Sequence, residues 1–158
     1  MNSIYGGIVS NPDRIDVERA VQQLLVQLEE LRAAIRILQN RSLALTSEIQ
    51  EIRIAYETLT NIQQHSQRDV MASLDRQGYV YVKVKLEDIE KAVVRIGRDF
   101  YVFLPIDNAK NVLLNFEKDV MEELRRTEAE LKQLTSIYEQ LQTKLQEYLA
   151  LLSKEEKT

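Results

Sequence analysis

The sequence predicts a mostly α fold with a small β-module. Two long helices pair as an antiparallel α-hairpin coiled coil, and two β-hairpins sit at the helix-connecting end. Three observations predict this. Apolar residues recur at alternating spacings of three and four over residues 21–59 and again over 113–152, which is the seam of a coiled coil rather than the wider stripe of a globular helix. Between these segments GYVYVKVKL, residues 78–86, puts Val80, Val82, Val84 and Leu86 on one face and Tyr79, Tyr81, Lys83 and Lys85 on the other, the period-two pattern of a half-buried strand. The composition agrees: 29% charged residues, 6% aromatics, four glycines and two prolines suit long helices better than a compact sphere with an aromatic core.

Residues 1–10 read as a short tail, flexible at Gly6-Gly7 and fairly apolar through Ile4, Tyr5, Ile8 and Val9. Asn11-Pro12-Asp13 is a helix start, with a capping residue, a proline at the first helical position and an acid in the first turn. The first helix is expected over 12–68. Its a positions are Val21, Leu28, Ile35, Ser42, Ile49 and Tyr56, and its d positions are Leu24, Leu31, Leu38, Leu45, Ile52 and Leu59; eleven of these twelve are apolar and Ser42 is the exception. The seam fades at Gln63 and Ser66. The second helix is expected over 107–152, after Pro105 and with Asp107 as cap. Its seam runs Leu113, Glu117, Val120, Leu124, Thr127, Leu131, Leu134, Tyr138, Leu141, Leu145, Tyr148 and Leu152, ten of twelve apolar, before the polar tail 153–158. Taken as roughly 45–50 paired residues each, the two helices span roughly 70–75 Å at 1.5 Å per residue. Helices of equal length joined by a compact module most simply fold back on each other, because a lone helix of this length has nothing on which to pack its apolar face. In that pairing Ser42 falls near Thr127 or Leu131, a weak layer midway along the coil.

Residues 69–105 read as four short strands: 70–74, 79–86, 92–96 and 100–104, with turns at Asp75–Gly78 and Gly97–Asp99 and a polar connector at 87–91. They make two consecutive hairpins, 70–86 and 92–104. Isolated hairpins are unstable in water, and open edges invite pairing with another chain. The apolar faces have no obvious cover within the sequence, since the helices spend their seams on each other. Val80, Val82, Val84, Val94, Ile96, Phe100, Val102 and Leu104 are therefore expected to form an assembly surface, completed by strands of other subunits into a barrel or a stacked sheet.

The order long helix, two β-hairpins, long helix resembles the α-type subunits of the prefoldin family. The specific likeness lies in YVYVKVKLEDIEKAVVRIGRDFYVFLPIDNAKNVL, residues 79–112. It joins an aromatic/Val-Lys strand, a short charged connector, a strand ending in Ile-Gly, an aromatic-rich strand, and a helix opening on an acid and an alanine. Two hairpins point to the α class, since β-type subunits carry one. The likeness extends over nearly the whole chain as a single prefoldin-like domain, 1–158, though its coiled-coil parts are unspecific. Three positions depart from the family pattern. The turn before the second strand has one glycine, Gly78; Asp99 stands where a second glycine follows the Ile-Gly pair; and Phe103 replaces a glutamate late in the fourth strand. Asp tolerates left-handed backbone better than most residues. The resemblance implies a molecular chaperone that uses no nucleotide and no cofactor. It implies a hetero-hexamer of two α-type and four β-type subunits, joined through a double β-barrel with six projecting coiled coils. The coil tips would hold unfolded protein and pass it to a group II chaperonin, in an archaeal or eukaryotic cytoplasm.

In such a hairpin, residues near 5–28 and 141–152 share the far end. Tyr5, Ile8, Val9, Val21, Leu25, Leu145, Tyr148, Leu149, Leu151 and Leu152 are the candidate client-binding residues there, since exposed apolar clusters mark interaction sites and adaptable ends suit varied clients. The plainer alternative is that Leu25 and Leu149 only widen the seam and that the N-terminal tail is disordered.

Other chemistries lack their residues. His65 is the single histidine and has no cysteine or carboxylate cluster near it, so it reads as a solvated surface group rather than a catalytic or metal-binding one. The carboxylates fall on outer helix faces, no phosphate-cradling glycine pattern occurs, and there is no cysteine for disulfide or thiolate chemistry. Asn40-Arg41-Ser42 matches a glycosylation acceptor by chance, mid-helix. The net charge of −4 offers no electrostatic argument for nucleic acid, and Lys83 and Lys85 read as protection of a strand edge. The N-terminus does not read as a signal peptide, and no apolar run approaches the ~18 residues of a membrane span. An enzyme is the least favoured class. The alternatives are a coiled-coil hinge or adaptor that dimerises through its β-module, although hinge proteins attach ATPase heads, and a transcription or translation factor with a coiled-coil finger, which places a globular domain at one end.

Overall fold

The computed structural model describes residues 12–65, 68–87 and 90–155. The N-terminal tail with Asn11, Ser66, and the end of the C-terminal tail lie outside them. In chain order the elements are α1 (Pro12–Gln64), β1 (Asp69–Ser73), β2 (Tyr81–Lys85), β3 (Lys91–Arg95), β4 (Tyr101–Pro105) and α2 (Ile106–Glu155). The chain divides into two compact units. The helical unit combines the part of α1 up to Ser42 with the part of α2 from Arg126 onward, and the hairpin unit is Leu43–Arg125.

In the helical unit the seam buries Val21, Leu24 and Leu28 and half-buries Leu31, Ile35, Leu38 and Ser42. From α2 it half-buries Leu131, Leu134, Tyr138, Leu141, Leu145, Tyr148 and Leu152. The register is fixed across the pair where Arg32 Nη2 donates to the Tyr138 hydroxyl at 2.9 Å, with the guanidinium 5.9 Å from the ring centroid. Counting equally along the two antiparallel helices from that pair brings Ser42 level with Glu128, beside Thr127. Of the two expected neighbours of Ser42, Thr127 is the nearer, and it is buried.

In the hairpin unit the seam continues through Leu45 and Ile49, both buried, and Ile52, Tyr56 and Leu59, half-buried. Leu45 is 1% exposed. Arg53 donates to Glu117, Gln63 Nε2 donates to Asp107 Oδ1 at 2.9 Å, and Lys110 Nζ donates to Gln63 Oε1 at 3.3 Å while lying 5.0 Å from the Tyr56 ring centroid. These ties advance along α2 as they retreat along α1, which makes the pairing antiparallel. Ile106 and Ala109 are enclosed where α2 begins; Ala109 is 0% exposed, so a larger side chain there would overpack the site.

The strands form two separate antiparallel sheets, β1-β2 and β3-β4. Their registers pair Val70 with Val84 and Ala72 with Val82, and Ala92 with Leu104 and Val94 with Val102. The element ends differ by a few residues from those the patterns suggest, each for a physical reason. Leu86 N donates to Arg68 O at 2.7 Å, so the chain has joined the ladder by Arg68 and α1 stops at Gln64 rather than 68. Tyr79 and Val80 leave the second strand because their N–H groups donate to the Asp75 carboxylate at 3.0–3.2 Å. Polar residues propagate a helix as well as they end one, and α2 continues into the expected tail, where Ser153 Oγ donates to Ala150 O.

The β1–β2 turn rests on Gly78, whose φ of 74° is the one positive value among the described residues. A Cβ there would also meet the Tyr81 hydroxyl at 2.6 Å. Gly78→Ala is expected to cost about 1–2 kcal/mol in the turn. The check is hydrogen exchange of the Leu74 amide, which closes the ladder on Val80 O and should exchange roughly tenfold faster in the variant. Asp99 needs no left-handed backbone: no described non-glycine residue has positive φ, so the β3–β4 turn closes without a second glycine.

One expectation is corrected. The apolar strand faces do have cover within the chain. Val82, Val84, Val102 and Leu104 are half-buried and Val94 is buried, and Val94 lines the same cavity as Ile52 and Ala55 of α1 and Leu113 and Phe116 of α2. Val80, Ile96 and Phe100, outside the strands, are exposed.

Candidate functional site

The first candidate surface is the hairpin pair. Side chains alternate across a strand, so with Val70, Ala72, Val82 and Val84 turned inward, β1 and β2 turn Asp69, Met71, Tyr81, Lys83 and Lys85 outward. The second hairpin turns Lys91, Val93, Arg95, Tyr101 and Phe103 outward. Met71, Tyr81, Val93, Tyr101 and Phe103 are exposed, as are Leu74, Tyr79 and Phe100 at the turns. Charge is interleaved with this apolar area. Lys83 Nζ pairs with Asp69 Oδ2 at 3.3 Å, and Lys91 Nζ sits 5.5 Å from the Phe103 ring centroid. Each strand has one hydrogen-bonded neighbour, which leaves one edge of every strand open. Charged Glu48, Glu51, Arg76 and Arg95 and apolar Ile52, Ala55, Val94, Leu113 and Phe116 together line a cavity of about 450 Å³.

Asp75 holds this surface in shape. Its carboxylate accepts from the amides of Gln77, Tyr79 and Val80, and Ser73 Oγ donates to its carbonyl at 2.6 Å. Those amides, Tyr79 foremost, hold the carboxyl below its ordinary value. A depressed folded-state value stabilises the turn above the ordinary carboxylate range, and that contribution is lost as pH falls through and below it. In a pH titration followed by NMR, the Tyr79 and Val80 amide signals are expected to move with a midpoint below the ordinary carboxylate value. Asp75→Asn is expected to abolish that acid response.

The second candidate surface is the far end of the helical unit. Counting from Arg32–Tyr138 places Leu25 level with Leu145 and Val21 level with Leu149, so the pairing brings the candidates of both helices together. They differ in availability. Val21 is buried and Leu145, Tyr148 and Leu152 are half-buried in the seam, whereas Leu25, Leu149 and Leu151 are exposed. Lys144 Nζ lies 5.8 Å from the Tyr148 ring centroid. Tyr5, Ile8 and Val9 fall outside the described residues. Ile15 and Val26 are also exposed here; seam counting passes over them, although apolar residues off a complete seam were the available signal. The outward strand residues were likewise legible. Phe100–Leu104 is an unbroken apolar run, the mark of a strand covered on both faces.

His65 is exposed at the end of α1, with ring Nδ1 3.0 Å from Asn61 O. Among the described residues no group of three His, Asp or Glu side chains could hold a metal ion, and no helix is long and apolar enough to cross a membrane.

Comparison with known proteins agrees with this architecture. A family model described as prefoldin subunit matches residues 16–150. A protein named prefoldin subunit alpha from Metallosphaera sedula is 27% identical over 122 residues, covering 77% of this chain and 84% of its own. One of the same name from Sulfurisphaera tokodaii is 29% identical over 134 residues, covering 80% and 87%. Among solved structures, a chain of a filamentous PFD from Methanocaldococcus jannaschii superposes with a TM-score of 0.53 at 22% identity, covering 80% of this chain and 98% of that one. That likeness is one of fold.

Proposed function

The chain belongs to the prefoldin subunit family, and from that premise we propose that it is the α-type subunit of an ATP-independent chaperone. It captures unfolded proteins at the helix ends and delivers them to a group II chaperonin in the cytoplasm. Two copies join four β-type subunits through the hairpins. Val80, Val82, Val84, Val94, Ile96, Phe100, Val102 and Leu104 are the assembly residues, and Met71, Tyr101 and Phe103 join them from the outward faces. The observation that carries the assembly half is the two-sided apolar character of β4: Val102 and Leu104 are half-buried in the chain itself, while Tyr101 and Phe103 are exposed beside an open edge. Large exposed apolar patches mark interaction sites, and open edges pair with further strands. The capture half assigns client contact to the exposed Leu25, Leu149 and Leu151, with Tyr5, Ile8 and Val9 on the preceding segment. Val21, Leu145, Tyr148 and Leu152 supply the seam beneath.

The test is the native mass of the complex containing this chain, isolated from its own cells without crosslinking. A hexamer with two copies of this chain and four of a smaller coiled-coil subunit supports the reading. A homodimer alone overturns it in favour of a hinge or adaptor that dimerises through its β-module.

A further inference from the structure

We propose that Ser42 and Thr127 form a stop within the coiled coil: a polar layer that lets the helical unit open as one piece and halts the opening at its edge. Ser42 is the one polar residue among the twelve seam positions of α1. Thr127 is the one buried polar side chain among the described residues, at 7% exposure, and the register brings the two together.

The physical reason is the loss of apolar coupling across one layer. Separating two helices exposes seam side chains layer by layer, at about 25 cal/mol per Å² of apolar area. Contiguous apolar layers therefore tend to open together. No buried side-chain polar atom among the described residues lacks a partner, so the hydroxyl layer is tolerated, but it contributes little apolar burial to hold its neighbours together. Opening that starts at the helix ends ceases to be cooperative there. Beyond it stand Leu45, Ile106 and Ala109, the most enclosed apolar side chains described, so the hairpin unit resists. Sub-global opening in contiguous cooperative units is the general behaviour of native proteins; here a named layer sets the boundary. Opening would release Val21 and Leu145 from the seam for clients, and this consequence rests on the capture reading above.

Hydrogen exchange by mass spectrometry on the full chain in its native complex tests the stop. The expected result is a common, faster rate for amides over 14–41 and 128–152, a slower rate over 45–62 and 107–124, and a step between them at the layer. The double variant Ser42→Leu/Thr127→Leu is expected to erase the step and slow exchange in the helical unit roughly tenfold. The gentler pair Ser42→Ala/Thr127→Val, which adds no bulk, is expected to shift it in the same direction if the leucines disturb packing. A smooth gradient from the helix ends, a step elsewhere, or unchanged rates in both variants would overturn the proposal. Suppression of client aggregation is measured in parallel. An erased step with unchanged suppression upholds the stop and removes only its consequence for clients.

Discussion

Leu45→Ala is expected to lower the unfolding free energy by about 2–5 kcal/mol, the range for emptying a well-packed leucine site. Among the described residues Leu45 is the largest side chain that is essentially fully enclosed. It occupies a d position next to Ile49, where the hairpin unit's seam is tightest. A cavity there is hard to close, because the surroundings of a packed core site relax only partially when atoms are removed. The measurement is denaturant unfolding at fixed subunit concentration, since assembly shifts the midpoint by mass action. Val26→Ala is the control. Val26 is apolar but 60% exposed, and its loss should fall within about 0.5 kcal/mol. Equal losses at both positions would show that seam burial does not govern stability.

Removal of residues 1–10 and 148–158 is expected to weaken client capture roughly tenfold or more, on the scale of several exposed apolar side chains lost, while assembly survives. The proposed assembly residues all fall within 69–105, outside the deleted segments in sequence. The truncation also uncovers Val21, which pairs level with Leu149. The finer variant is therefore Leu25→Ser/Leu149→Ser/Leu151→Ser, which keeps the helices and removes only exposed leucines. Aggregation suppression and native mass, read together, decide: reduced suppression at unchanged mass supports capture at this end. A lost complex counts against the division of labour between the two surfaces.

The long-range order was legible because the coiled-coil period is rigid. Every expected seam position, including Ser42, Glu117 and Thr127, is buried or half-buried in the structure. Geometry demands that each fourth or third residue face the partner whatever its chemistry. The strand ends were less legible. Their limits depend on Asp75, a side chain that takes backbone donors from the ladder, and alternation counts carry no information about such competition. The face assignment was half right for a related reason. Period two identifies two faces but not which is covered, so Val82 and Val84 were read as bare while Tyr101 and Phe103 were passed over. The run FYVFL held the answer, but a run apolar on both sides specifies its covers only when the neighbouring chain is known.

The exposed outer face of β4 constrains how the cell makes this chain. A copy without companions carries a two-stranded sheet with unsatisfied edges and aromatic rings in water, which is the template for unwanted pairing. Supply of this subunit therefore has to be matched to supply of its companions. A surplus would be a substrate for proteolysis or a seed for aggregation, so the open strand edges tie the fate of each copy to balanced synthesis.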